Sequence, residues 1–356
     1  MTPPAGNGLD GGAVAAVDRA SQLADVMGLP EQLRDALWRV ESAGIQPVDA
    51  PGGLIVAGMG GSGVGGLLAR AALGDRASRP IVVSRGYELP PWATPDTMVL
   101  CCSYSGDTEE TLACYEAAGA LGAPRLVATT GGALAEAARA DGVPVIPLPA
   151  GFQPRGAVAS LTVAALEAAA ACGAAPSVRS EVDVAAAHAE TLVGEWGPSG
   201  SEECLAKALA RGLHETVPQI AGSGLTASVA YRWKTQINEN AKAPAFAHEL
   251  PELDHNEVVG WSGAGEGGRF AAVFLADCDQ HPRTRQRIDL TRALIEPQAA
   301  GTFVVESRGE SPTERMFSLV LLGDLVSVYL AVLRGVDPTP VDVIERLKAD
   351  LAEVPS

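Results

Sequence analysis

The chain has 356 residues, 47% of them hydrophobic, with 26 Lys and Arg against 43 Asp and Glu for a formal net charge of −17. That length buries a large core and suits two domains. So acidic a surface argues against nucleic-acid or anionic-membrane binding, and an anionic substrate then needs a local basic or amide-rich pocket set against the overall field.

Residues 1–12, "MTPPAGNGLDGG", have no basic segment followed by an apolar one, so they do not read as a signal peptide; a flexible tail is expected. Two helical segments follow near 13–26 and 31–43, and then βα alternation begins. Strands are predicted in "GLIVAGM", "PIVVSRG", "TMVLCCSYS", "RLVATTGG" and "VPVIPLP", with helices in "SGVGGLLARAAL", "DTEETLACYEAAGALG" and "ALAEAARADG". A long apolar helix is predicted over 156–173, a linker over 174–180, and helices near 182–195 and 201–214. A second series starts at "VPQIAGSG" (217–224) and continues as helix 225–242, strand 269–278, helix 282–296, strand 300–309, helix 311–335 and a short final helix within 340–353. The most apolar stretch, 316–333, falls short of the roughly 18 uninterrupted residues of a membrane span because Asp324 interrupts it. Six cysteines without C-x-x-C spacing fit a reduced, cytoplasmic protein.

Alternating strands and helices with short Gly/Pro connections predict an α/β fold: two tandem three-layer αβα modules with mainly parallel sheets. The division expected is 1–45 as tail and packing helices, 46–175 as the first module and 176–356 as the second with the C-terminal helices. "LIVAGMGGSGVGGLLARA" and "PQIAGSGLTASVAYRW" both read as strand, small-residue turn and helix, which supports a duplication.

Gly58-x-Gly60-x-x-Gly63 matches the dinucleotide fingerprint in its glycines. That fingerprint also needs an acid about 20 residues on, at the end of the next strand, to hold the ribose. Here that position offers Ser84 and Arg85. Arg85 keeps an NADP-dependent oxidoreductase among the readings, beside a tight turn with no ligand. In "CCSYSGDTEETL" a buried strand ends in hydroxyls at Ser103, Ser105 and Thr108 and runs directly into a helix. Asp107 and Thr108 suit an N-cap, which explains part of the pattern. A small phosphate explains all three hydroxyls together. The loop has no Lys, so it is not a nucleotide P-loop.

"SYSGDTEET" following "GMGGSG" resembles the sugar isomerase (SIS) module of phosphosugar isomerases and phosphosugar-binding regulators, and the fold it implies is two SIS modules. The segment 233–261 adds acid/base groups that a sensor does not need, among them Glu239 near the end of an amphipathic helix and His255 in a Pro-containing loop. Either could be a plain solvated residue. "HELPELDHNE" also offers His248, Glu249, Glu252, Asp254, His255 and Glu257 as metal ligands, but it is not H-E-x-x-H and Pro251 breaks the helix that would align the histidines. No metal or redox cofactor is expected.

"GFQPRGAV", "INENAK", "HNEVVGW" and "GDLVSVYLAVLRGVDPTPVDVIERLK", in that order, resemble the bifunctional phosphoglucose/phosphomannose isomerase family. The resemblance implies that Glu239 is the base and Arg155 stabilises an enediolate. It implies that His255 and Lys348 assist ring opening and proton movement. It places the phosphate of a hexose 6-phosphate against Gly61, Ser62, Ser103, Ser105 and Thr108. It also implies a homodimer with a shared active site, where His255 reaches into the partner's site. The rival readings are a non-catalytic phosphosugar-binding protein on the same fold, the NADP-dependent oxidoreductase and an amino-sugar isomerase.

Overall fold

The computed structural model describes residues 8–353. Strands β1 (Leu54–Ala57), β2 (Ile81–Ser84), β3 (Met98–Cys102), β4 (Arg125–Thr129) and β5 (Val145–Pro147) form one sheet, in the order β2-β1-β3-β4-β5. Strands β6 (Val217–Gly222), β7 (Phe246–Glu249), β8 (Phe270–Ala276) and β9 (Gly301–Glu306) form a second, in the order β7-β6-β8-β9. Every pairing in both is parallel. The shared 2-1-3-4 order bears out the expected duplication.

The helices in chain order are α1 (Gly11–Val17), α2 (Gln22–Met27), α3 (Leu29–Ser42), α4 (Gly60–Leu73), α5 (Glu109–Leu121), α6 (Gly132–Asp141), α7 (Val158–Ala171), α8 (Arg179–Trp196) and α9 (Leu205–Leu213). Then come α10 (Leu225–Asn240), the short α11 (Glu257–Gly260) and α12 (Ala264–Gly267), α13 (Pro282–Ile295), α14 (Pro312–Arg334) and α15 (Asp342–Ala352).

Alternation along the strands decides how the layers stack. Successive side chains face opposite sides of a sheet. Leu54, Val56, Leu100 and Cys102 face a core that also holds Ile220, Val273, Leu275 and most of α14. Ile55, Ala57, Val99 and Cys101 face a separate cluster under α5 and α6. Ala221, Ala272 and Phe274 face a third cluster under α13. One continuous core therefore joins the two sheets.

Three local expectations change. Leu9 is fully buried and Asp10 caps α1 by accepting from the Ala13 N–H at 2.8 Å, so the part of the expected tail from residue 8 onward is folded; residues 1–7 of it lie outside the described residues. The expected linker 174–180 is packed, with Ala174, Ala175 and Val178 buried. Strand β7 was not predicted: only Phe246 and Ala247 of its four residues are apolar, and it sits at a sheet edge, where alternation is weakest.

Helix α14 has the length and hydropathy of a membrane span, yet 94% of its most apolar window is buried inside the protein, against α8, α9 and α10. Its Gly323 permits the contact with α10: a Cβ there would lie 2.1 Å from Nε1 of Trp233, whose indole N–H donates to the Leu319 carbonyl at 2.8 Å. Gly323→Ala should therefore destabilise the fold by about 2–3 kcal/mol through overpacking, read as a lower midpoint in urea unfolding. An unchanged midpoint would show that α10 and α14 have slack at this crossing.

Candidate active site

In an open parallel sheet, ligands bind outside the carboxyl ends of the strands where the order reverses, here between β1 and β3. The loops leaving these neighbours carry the two motifs. The turn after β1 needs glycine for space: a Cβ at Gly58 would lie 2.9 Å from the Cys102 carbonyl and one at Gly61 would lie 2.8 Å from the Pro154 carbonyl. Ser62 follows, buried in the first turn of α4, a helix start with no side-chain cap.

The loop after β3 is built around hydroxyls. The Ser103 and Thr108 hydroxyls lie 2.9 Å apart, the Gly106 N–H donates to Ser103 Oγ at 3.0 Å, and the Asp107 N–H donates to the exposed Ser105 Oγ at 3.3 Å. The N-cap expectation is corrected here. Asp107 accepts from the Ala133 N–H at 2.9 Å and so caps α6, Thr108 turns to Ser103, and α5 starts without a side-chain cap. Two uncapped helix starts thus face one edge of the sheet, an arrangement that favours an anion.

Tyr104, between the two serines, has a role that was not foreseen. Its hydroxyl donates to the Pro149 carbonyl at 3.0 Å and accepts from the Phe152 N–H at 2.9 Å. This pins the segment that carries the chain from β5 back across the sheet to Arg155, which stands in a 3-10 turn spanning Pro154–Ala157.

Arg155 is 2% exposed, and its guanidinium is met from several sides. Nε donates to Asn240 Oδ1 at 2.7 Å, and Nη2 donates to the carbonyls of Pro338 and Thr339, each at 2.9 Å. Nη1 faces Glu239 Oε2 at 3.5 Å. Burial pulls the Arg155 pKa down, and Glu239 works against that pull. Glu239 is 28% exposed and lines an open cleft of about 820 Å³ between the end of α10, residues 242–246 and the start of α15. Gly61 packs against the Arg155 backbone, which links the turn after β1 to the Arg155–Glu239 pair.

Lys242 was also missed. Its backbone is left-handed, with φ +52°, and Nζ donates to the carbonyls of Glu239 at 2.6 Å and Pro338 at 2.8 Å. Burial, then Arg155, push its pKa down. Its place in "INENAK", just after Glu239, was the available signal; the carbonyls of 338 and 339 carry none, because any residue supplies a carbonyl.

His255 and Lys348 are not brought to this site within the chain. Helix α10 leaves the carboxyl edge of the second sheet and runs back, so Glu239 lies near the edge where β7 begins. β7 then carries the chain about 13 Å to the opposite edge, where His255 is exposed in a 3-10 turn. Lys348 is exposed on α15. The possible metal ligands of 248–257 are engaged separately: His248 pairs with Glu257 and with Gln219 Oε1 at 2.6 Å, while Asp254 accepts from Arg287 and Thr291.

The corresponding edge of the second module carries an ion pair in place of the hydroxyl pair. There Asp277 accepts from Ser307 Oγ at 2.5 Å and from Arg315 Nε at 2.9 Å, and both Asp277 and Arg315 are buried.

Two modules with parallel sheets, the first carrying a hydroxyl-rich loop at its switch edge, have the architecture of an SIS-type phosphosugar isomerase. A family profile described as "Bacterial phospho-glucose isomerase C-terminal SIS domain" matches residues 202–351. A bifunctional phosphoglucose/phosphomannose isomerase of Caldicellulosiruptor bescii is 40% identical over 92% of this chain and 98% of its own length. One from Aquifex aeolicus is 36% identical over 84% and 90%. The chain belongs to the bifunctional phosphoglucose/phosphomannose isomerase family. Among solved structures, tagatose-6-phosphate ketose/aldose isomerase from Escherichia coli shares the fold, with TM-score 0.64 at 16% identity over 89% of this chain and 94% of that one.

Ser105→Ala removes an exposed hydroxyl with one local contact. A hydrogen bond to a charged group is worth about 1.5 kcal/mol or more, so KM for a hexose 6-phosphate should rise about tenfold, with kcat nearly unchanged. Steady-state kinetics checks this, and an unchanged KM would move the phosphate elsewhere.

Proposed function

We propose that the protein interconverts glucose 6-phosphate and mannose 6-phosphate with fructose 6-phosphate by proton transfer through a cis-enediolate. The observation that carries the reading is a buried guanidinium with one nitrogen turned to a carboxylate, beside a hydroxyl loop shaped for phosphate. Family membership supports the substrate class.

In this reading the phosphate lies against Gly61, Ser62, Ser103, Ser105 and Thr108, and the sugar extends toward Glu239. Glu239 takes the C2 proton of the aldose and returns it to C1, and the hydroxyl proton on O2 passes to O1, which yields the ketose. Arg155 stabilises the negative charge that develops on the sugar oxygens during that transfer. The two aldoses differ only in configuration at C2 and share one enediol, so a single base serves both. His255 and Lys348 assist ring opening.

The active unit is a homodimer. Two observations support this. His255 and Glu239 lie at opposite edges of the second sheet, so a histidine at this site comes from a second copy. The apolar face of α15 is uncovered, with Val343 84% and Leu347 66% exposed beside the cleft. All six cysteines are free and five are buried, which supports a reducing, cytoplasmic setting.

A coupled assay starting from fructose 6-phosphate, following both aldose products, tests the activity; formation of neither would overturn the reading. Glu239→Gln should lower kcat at least about 10³-fold while substrate still binds, as calorimetry can show. Normal turnover in that variant would remove Glu239 from the mechanism. Leu347→Asp should shift the protein toward monomer in analytical ultracentrifugation and lower activity in step; a monomeric, fully active variant would overturn the shared site.

A further inference from the structure

Asn240, next to the proposed base, is fully buried, and its amide has a fixed direction. Nδ2 donates to Ser327 Oγ at 2.8 Å and faces Gln236 Oε1 at 3.2 Å. The Ser327 hydroxyl proton is already given to the Asp324 carbonyl at 2.6 Å, so Ser327 can only accept from Asn240. The acceptor Oδ1 is therefore the atom left facing Arg155 Nε. Rotating the amide would set Nδ2 against the Nε donor and Oδ1 against two acceptors.

A guanidinium offers five N–H groups in a planar fork, and left free it pairs with a carboxylate through two of them. Here Nε is held by Asn240 and both protons of Nη2 by the carbonyls of Pro338 and Thr339. Only Nη1 remains, and it meets a single oxygen of Glu239 at 3.5 Å. The Arg155 main chain is fixed as well, because its carbonyl accepts from Arg232 Nη2 at 3.1 Å.

We propose that Asn240 is a positioning residue for the isomerisation: together with the carbonyls of Pro338 and Thr339, it fixes the plane of Arg155 so that Nη1 alone is presented toward Glu239 and the reacting oxygens. Without the hold on Nε the guanidinium can tilt about its Nη2 bonds and misplace that nitrogen. This inference rests on the assignment of Arg155 and Glu239 above. The other charged groups lining the cleft, Lys234, Lys242 and Asp342, are untouched by substitution at 240.

The test measures kcat and KM of fructose 6-phosphate isomerisation in the full-length protein. Asn240→Ala should lower kcat about 100-fold through misplacement of Arg155, with KM within about threefold. Arg155→Lys keeps the charge but has no Nε for Asn240 to hold, so adding Asn240→Ala to it should lower kcat less than about threefold further. A KM that rises in step with the loss of kcat, or losses that multiply in the double variant, would overturn the inference. Should Asn240→Ala not fold, Ser327→Ala, which removes only the hydroxyl behind the amide, carries the same cycle: its loss of kcat should vanish in the Arg155→Lys background, and persistence there would overturn the inference. Full activity in Arg155→Ala would overturn the site assignment itself, and with it this inference.

Discussion

The buried charge of Arg155 is the constraint on which the rest of the site depends. An unpaired guanidinium taken out of water is too unfavourable to persist, so every one of its faces must be met. The guanidinium is met by Asn240 and Glu239 at the end of α10 and by the carbonyls of residues 338–339, while its backbone is held by the glycine turn after β1 and by Arg232 of α10. These stretches come from both modules. The modules therefore cannot separate without stranding the charge, and one continuous core agrees with that.

Duplication gave both halves the same strand order but not the same edge chemistry. In the first module the switch edge carries a hydroxyl pair, an exposed Ser105 and two uncapped helix starts. In the second, Arg315 is taken up by Asp277 and Asp279 at the end of β8. The second half contributes instead through the far end of α10, which sits against the first module's switch edge. In the reading proposed above, the first half binds the phosphate and the second supplies the base.

Much of this was legible in the sequence, for identifiable reasons. The strands of the first sheet are continuous apolar runs ended by glycine, and such runs announce buried parallel strands. The pattern SYSGDT announced a hydroxyl-lined turn between β3 and α5, and the structure shows Ser103 and Thr108 hydrogen-bonded across it. Tyr104 was not legible: its hydroxyl works through carbonyl and amide groups some 45 residues later, and a single aromatic between two serines gives no sign of that. Asp107 misled because N-cap residues look alike whether they cap their own helix or a neighbour. Lys242 and Asn240 stood in plain view beside Glu239, but which face of a helix end turns inward depends on what packs against it. The distance between Glu239 and His255 was hidden by β7, an edge strand whose composition reads as loop.

Helix α14 shows how support for the site can hide behind composition. Its run of apolar residues resembles a membrane span, and Asp324 looks like a flaw in it. In the folded chain that carboxylate takes two hydrogen bonds from Arg232, at 3.0 and 2.6 Å, and its backbone carbonyl takes the Ser327 hydroxyl. Arg232 then reaches the Arg155 carbonyl, and Ser327 reaches Asn240. A buried ion pair of this kind adds little net stability, since desolvation offsets most of its attraction, although breaking one side costs roughly 3–5 kcal/mol. Its value lies in direction. Asp324 and Ser327, polar positions within the most apolar stretch of the helix, three residues apart and so on one face, help fix both the backbone and the plane of a single arginine. An entirely apolar α14 would fill the same space and leave Arg155 free to turn.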